Sequence, residues 1–349
     1  MKNKSIILLT LITALLLLGN FLFLDNYVTQ CYNNGSSFID YFFPRFSVER
    51  NRLPLAFFIE KKNQVIFRSF LLISVILFVK NPPEIKVKPI QSIDLNIKAF
   101  FLTISIFTSA WILDIPDLVN MNIIYQPVKI LKLFTLPQPS HIGAYLLFSL
   151  TALGAFYSVI KTNSIISVLS LLGFILVQAI FSSYQKIDHG FTSFIYLGLA
   201  FSLHLFRKKE LQRSSNIAVL IISLCYCQAG LEKVFTSGLE LFNTENILTH
   251  LTNHTTIVSN WLNNLPILSE GLFLLIILFQ LSFPIILFQP KLKALYLIGG
   301  ISFHLGVYFF LGVGWWVSPW SVALLLLIDW NPVSEKLRLA NKKYNSKGA

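Results

Sequence analysis

The chain has 349 residues, 54% of them hydrophobic and only 13% charged, with a mean hydropathy of +0.66. That charge content is about half of an ordinary soluble domain's share, which excludes a soluble reading. The net charge is +12, but the basic residues stand in short segments between apolar runs, where they orient a membrane protein rather than grip nucleic acid.

A bilayer core about 30 Å thick needs roughly 20 apolar residues per helix. Backbone in lipid must satisfy its own hydrogen bonds, so long apolar runs without strand-like alternation mean helices. In chain order the runs predict spans at 5–24, 64–80, 98–115, 142–160, 163–183, 190–206, 217–236, 268–289, 294–313 and 315–329. The fold class is therefore all-α, a polytopic transmembrane helix bundle of about ten spans. The first run follows Met1-Lys2-Asn3-Lys4 and no small-x-small cleavage site follows it, so it is expected to stay as an anchor. In the second, Arg68 lies near one end, where a long cationic chain can snorkel. The longest segments between spans are 25–63, 116–141 and 237–267. The middle one carries Pro116, Pro127, Pro137 and Pro139, which forbid a continuous helix. Residues 1–96 read as an N-terminal extension with about two spans, 97–330 as the core, and 331–349 as a basic cytoplasmic tail.

Placing the N-terminus in the cytoplasm and alternating puts 18 of the 28 basic residues inside. Arg45, Arg50, Arg52, Lys61, Lys62, Lys129, Lys132 and Lys186 fall outside, and Arg68 and Lys233 lie within spans. The positive-inside rule then predicts a multi-pass protein of the cell membrane with both termini cytoplasmic. Cys225 and Cys227 lie two apart in one apolar run and point to different helix faces. No metal spacing is present among the cysteines and histidines.

Ionisable residues within spans cost roughly 2.5–3.5 kcal/mol each at a helix centre on insertion scales, so they are the candidates for chemistry. Asp114, in Leu113-Asp114-Ile115-Pro116, reads either as an interfacial carboxylate before a proline stop or as a pocket residue. His189, at the outer start of the sixth span, is either a solvated turn histidine or a functional one. Lys233 closes the seventh span. Its neighbours three and four residues back, Gly230 and Ala229, are small and leave a notch for a neighbouring helix or a ligand. It is either a snorkelling lysine or a buried amine that acts as a base. His304, in the middle of the ninth span, cannot easily reach water. It makes an interhelical hydrogen bond or lines a pocket at bilayer depth. The topology brings Asp114, His189 and Lys233 to the outer membrane face, where they could line one outward-facing pocket.

Several segments, in order, resemble the horizontally transferred transmembrane (HTTM) domain family, which includes the membrane part of vitamin K-dependent gamma-glutamyl carboxylase. They are Leu113 to Pro116, the Leu-Pro-rich stretch Leu131 to Pro139, Ala152 to Ala155, Ser183 to Gly190 with His189, the set Tyr226, Ala229, Gly230 and Lys233, and Phe303-His304 followed by Gly312 to Trp315. The resemblance covers about 97–330. It implies Lys233 as general base with His189 supporting it, Asp114, His304 and Tyr226 as pocket residues, and a reduced vitamin K-type quinone as cofactor. The chain departs from the carboxylase in having Val234-Phe235-Thr236-Ser237-Gly238 where a tryptophan usually follows the lysine segment, and in the two spans before the core. A compact bacterial member of the family matures a secreted toxin peptide. The expectation is thus a membrane enzyme acting on a quinone-like or peptide substrate. The alternative is a non-catalytic membrane factor for maturation, export or immunity of a secreted peptide. A transporter is disfavoured, because no repeated halves or paired broken helices are seen.

Overall fold

The computed structural model describes residues 19–34, 93–120, 136–184, 190–206, 211–237, 256–311 and 323–328, together with Leu15 and scattered positions within 51–73, 125–134 and 245–248. All regular structure among these residues is helical. Six helices are long and apolar enough to cross a membrane: Asp94–Ile112, His141–Ile160, Ser164–Ser183, Asn216–Val234, Pro266–Leu287 and Pro290–Phe310. They match six of the ten expected spans. The expected span at 190–206 is a shorter helix, and most of 5–24, 64–80 and 315–329 lies outside the described residues.

We number the helices α1 (Asp25–Asn34), α2 (Ile93–Ile112), α3 (Ile115–Asn120), α4 (His141–Ile160), α5 (Ser164–Ser183), α6 (Gly190–Phe206), α7 (Leu211–Ser237), α8 (Ile257–Asn263), α9 (Pro266–Ser282) and α10 (Lys293–Leu311). They fall into two compact units. One is drawn from Met1–Ile85, Leu220–Phe288 and Ser302–Trp316, the other from Lys86–Val219, Gln289–Ile301 and Val317–Ala349.

In the second unit α2, α4 and α5 pack together. The loop between α4 and α5 is cut short by capping: the Asn163 side chain accepts from the backbone N–H groups of Ile165 and Ile166 at 3.0 and 3.2 Å. The two helices then interlock through small and hydroxyl residues. A Cβ placed on Gly154 would sit 2.5 Å from Ser170 Oγ, and one on Gly173 only 2.3 Å from Thr151 Oγ1. Each glycine therefore makes room for a hydroxyl residue of the partner helix. Ser167 Oγ donates to Ser158 Oγ at 3.0 Å, and Ser105 Oγ on α2 donates to the Ala152 carbonyl at 3.0 Å. The opposite side of α4 carries Ile142, Leu146, Leu150, Leu153 and Ile160, all exposed. Small residues inward and large aliphatics outward is the pattern of a helix whose solvent is lipid. Below this seam lies an aromatic core. Phe100 stacks on Phe194 at 4.3 Å, and Trp111 lies 4.6 Å from Phe181 and 5.0 Å from Phe191.

The proline-bearing segment after α2 behaves as expected. The helix stops at Ile112, Leu113 and Asp114 form a turn, and α3 restarts with Pro116 in its first turn, where the missing N–H costs nothing. Farther along, Gln138 Nε2 donates to the Val119 carbonyl at 3.0 Å and the Tyr125 hydroxyl to the Pro137 carbonyl at 3.2 Å. Leu131 is buried with α3, α4 and α5 residues. Tyr125 and Tyr184 face each other at 5.0 Å, and burial pushes both phenol pKa values up.

Three boundaries differ from expectation. The expected span end at Leu24 is not a helix end: a π-turn over Asn20–Leu24 runs on into α1. Lys62, expected as an outer-loop charge, is buried and ion-paired with Asp25, beside an Asn20–Asn63 side-chain hydrogen bond of 3.0 Å. That pair gives the half-buried carboxylate that begins α1 a buried cationic partner. The span at 268–289 is not one continuous α-helix either. Pro284 lacks an N–H and tightens Phe283–Leu287 into a 3₁₀ turn.

Replacing Gly173 with leucine forces α4 and α5 apart, and overpacking of this kind costs about 1–3 kcal/mol. Gly271, with open space where its Cβ would be, is the control. Thermal unfolding in detergent is expected to show a large loss for Gly173→Leu and little change for Gly271→Leu; equal losses would refute the interlock.

Candidate functional site

The expected site residues divide between the two units. Lys233, Tyr226 and His304 lie in the first; Asp114 lies in the second. His189 lies outside the described residues.

In the first unit the site grows from one face of α7. Tyr226, Gly230 and Lys233 are spaced four and three residues apart, so they line up along the helix. At 1.5 Å per residue, Tyr226 and Lys233 are about 10 Å apart along the axis. The middle position, Gly230, sets the geometry. A Cβ there would lie 3.0 Å from a Leu281 methyl and 3.1 Å from Gln280 Cβ. The small-residue notch is therefore filled by α9, which is the neighbouring-helix reading of Gly230.

That approach decides where Lys233 goes. Its Nζ donates to the Ala229 carbonyl of its own helix at 3.2 Å and to Gln280 Oε1 of α9 at 3.2 Å. The amine is folded back into the helix pair instead of extended towards water, as snorkelling would require. Gln280 is 2% exposed, so its amide oxygen is a fixed acceptor rather than a passing surface contact.

Two turns towards the other end, Tyr226 is 4% exposed. Its ring stacks on Phe283 at 4.2 Å with planes 5° apart, and Phe279 meets it edge-on at 5.9 Å. Tyr226 Oη and His304 Nε2 are 2.8 Å apart, a hydrogen bond whichever atom carries the proton. His304 thus makes the interhelical bond expected of a polar residue in mid-span, from α10 to α7. The same unit ties α8 to α10 through Thr256 Oγ1, which donates to the Phe310 carbonyl at 2.9 Å.

Asp114 occupies the α2–α3 turn. Its backbone N–H donates to the Trp111 carbonyl at 3.1 Å and its carbonyl accepts from Leu118 at 3.0 Å. Among the described residues no group of three His, Cys, Asp or Glu side chains comes together to hold a metal, and Cys31, Cys225 and Cys227 form no disulfide.

Sequence reasoning missed Gln280. It ranked ionisable residues in spans, and a glutamine escapes that filter. The available signal was a lone amide in Leu274-Leu275-Ile276-Ile277-Leu278-Phe279-Gln280-Leu281, costly in lipid unless it has a partner.

No family model, curated protein or solved structure matches this chain.

The Tyr226–His304 bond has a checkable strength. Tyr226→Phe keeps the stack on Phe283 and removes only the hydroxyl. It is expected to cost about 0.6–2 kcal/mol, the range for interhelical hydrogen bonds in membranes. Adding His304→Ala to it is expected to cost less than His304→Ala costs in the tyrosine background. A double-mutant cycle of unfolding free energies measures this, and strict additivity would deny the bond.

Proposed function

We propose that this chain is an integral membrane protein of the HTTM type in which Lys233 acts as a base on a quinone-like or peptide substrate, with His189 in support. One observation carries the reading. The Lys233 amine, on a half-buried side chain, is held between α7 and α9 by two oxygen acceptors, with less water around it than an exposed ammonium would have. An amine so placed loses solvation of its charged form, and a neutral amine is what a general base requires. The donor set also fits a reduced quinone, whose hydroxyl supplies a proton for a base to take. Tyr226, Phe279 and Phe283 give an aromatic group along the same helix face. In this reading the protein resides in a bacterial cell membrane with both termini cytoplasmic, and Lys233 stands near the outer face.

The flat stack of Tyr226 on Phe283 and its bond to His304 favour a second reading. These groups are engaged in helix packing, as they would be in a non-catalytic factor for maturation, export or immunity of a secreted peptide.

Amine labelling of Lys233 against pH, in the intact chain in nanodiscs, separates the two. The base reading expects a midpoint near pH 7–8, about two to three units below the reference lysine; a midpoint at the reference value overturns it. Lys233→Ala is expected to insert and unfold like the parent while cellular function is lost, and His189→Ala to lose it less completely. Loss of function only through failed insertion would leave the packing reading.

A further inference from the structure

We infer that Gln280 is the positioning residue of Lys233: its amide oxygen fixes the amine in place across the α7–α9 contact. The inference rests on the base reading for its functional meaning and on geometry for its substance. A lysine side chain carries about 2 kcal/mol of rotamer entropy, and left alone near a helix end it samples many directions. Here two acceptors restrict it. The Ala229 carbonyl lies four residues back on α7 at 3.2 Å, and Gln280 Oε1 lies across the contact at 3.2 Å. The first acceptor is intrahelical backbone and is present in any helix. Only the second is a choice of sequence.

Three features mark that choice. Gln280 is 2% exposed in an otherwise apolar run of α9, where an amide is costly unless it is used. Gly230 removes the side chain that would hold α9 away, since a Cβ there would press on Gln280 Cβ at 3.1 Å. Lys233 itself is three residues on from Gly230, one turn along the same face. Notch, acceptor and amine therefore form one device. Two N–H bonds directed at Ala229 and Gln280 leave the remaining position on nitrogen pointing elsewhere. On a neutral amine that position is the lone pair, so Gln280 sets the direction from which a proton can be taken. On the parts of these helices that belong to the first unit, the other titratable or charged groups are Cys225, Tyr226, Cys227 and Glu232 on α7, Glu270 on α9, and His304 and Tyr308 on α10. Glu270 lies ten residues before Gln280, about 15 Å along the axis.

The test compares Lys233 labelling profiles of the intact chain in nanodiscs for the parent, Gln280→Met and Gln280→Glu, with thermal unfolding recorded for each. Methionine keeps length and removes the acceptor; glutamate keeps an oxygen at the same reach and adds charge. An acceptor favours the ammonium more than the neutral amine, because charge-assisted bonds are the stronger. The Lys233 labelling midpoint is therefore expected to fall by about 0.4–1.1 pH units in Gln280→Met, from a bond of about 0.5–1.5 kcal/mol, and to rise in Gln280→Glu. The Lys161 midpoint should stay constant in both. Opposite shifts confined to Lys233 support positioning. Unchanged Lys233 profiles overturn it, as does an equal shift at Lys161 or a change that only follows lost thermal stability. If Gln280→Met does not fold, Gln280→Glu decides by the same criterion. The absolute midpoint of the parent judges the base reading, whereas the difference between variants judges Gln280, so either can fail alone.

Discussion

The contact between α7 and α9 at Gly230 is the constraint on which the first unit turns. A helix in lipid keeps its backbone satisfied internally, but its polar side chains must find partners on other helices. How near two helices approach decides which partners are within reach. At Gly230 the absent side chain admits Gln280 and Leu281 of α9, and this brings an amide oxygen to the Lys233 amine. A residue of ordinary size at 230 would separate the two and return Lys233 to the choice of snorkelling or staying unpaired. The same proximity holds Phe279 and Phe283 against Tyr226, whose hydroxyl is then placed for His304.

The second unit solves the same problem without charge. Gly154 faces Ser170 and Gly173 faces Thr151, so glycines and hydroxyl residues alternate across the α4–α5 seam. Hydroxyls suit such a seam because each can also bond its own helix: Ser170 Oγ donates to the Ile166 carbonyl at 2.8 Å and Ser158 Oγ to the Gly154 carbonyl at 2.9 Å. Serines so placed need no cross-helix partner. The seam therefore tolerates polar atoms partly by local satisfaction and partly by short hydroxyl bonds between helices, such as Ser167 to Ser158, whereas the Lys233 amine combines an acceptor on its own helix with Gln280 across the contact.

Hydropathy read the long helices well because span length is dictated by the bilayer, and α2, α4, α5, α7, α9 and α10 each contain one. It ended the third span at 115, close to the observed end at Ile112, because proline limits are local. It did less well where tertiary partners decide. Asp25 and Lys62 both fall in the expected outer segment 25–63, yet Lys62 is buried against Asp25. Gln280 carried no formal charge and so no warning. The site was legible in its donors and not in its acceptors. Lys233, Tyr226 and His304 stand out as rare polar groups in apolar helices, but the partner of each lies on a helix many residues away, and spacing along a chain does not encode it.

This asymmetry bears on what Lys233 can do. A buried lysine opposite a carboxylate becomes an ion pair, stable and unreactive, as Lys62 with Asp25 illustrates in the same unit. Lys233, half-buried opposite an amide, has a neutral acceptor, which orients the nitrogen without neutralising a charge on it. Two lysines of one unit are therefore given opposite partners. The one at Asp25 is held by a carboxylate, and the one at Gln280 by an uncharged oxygen, which can accept from an amine in either protonation state.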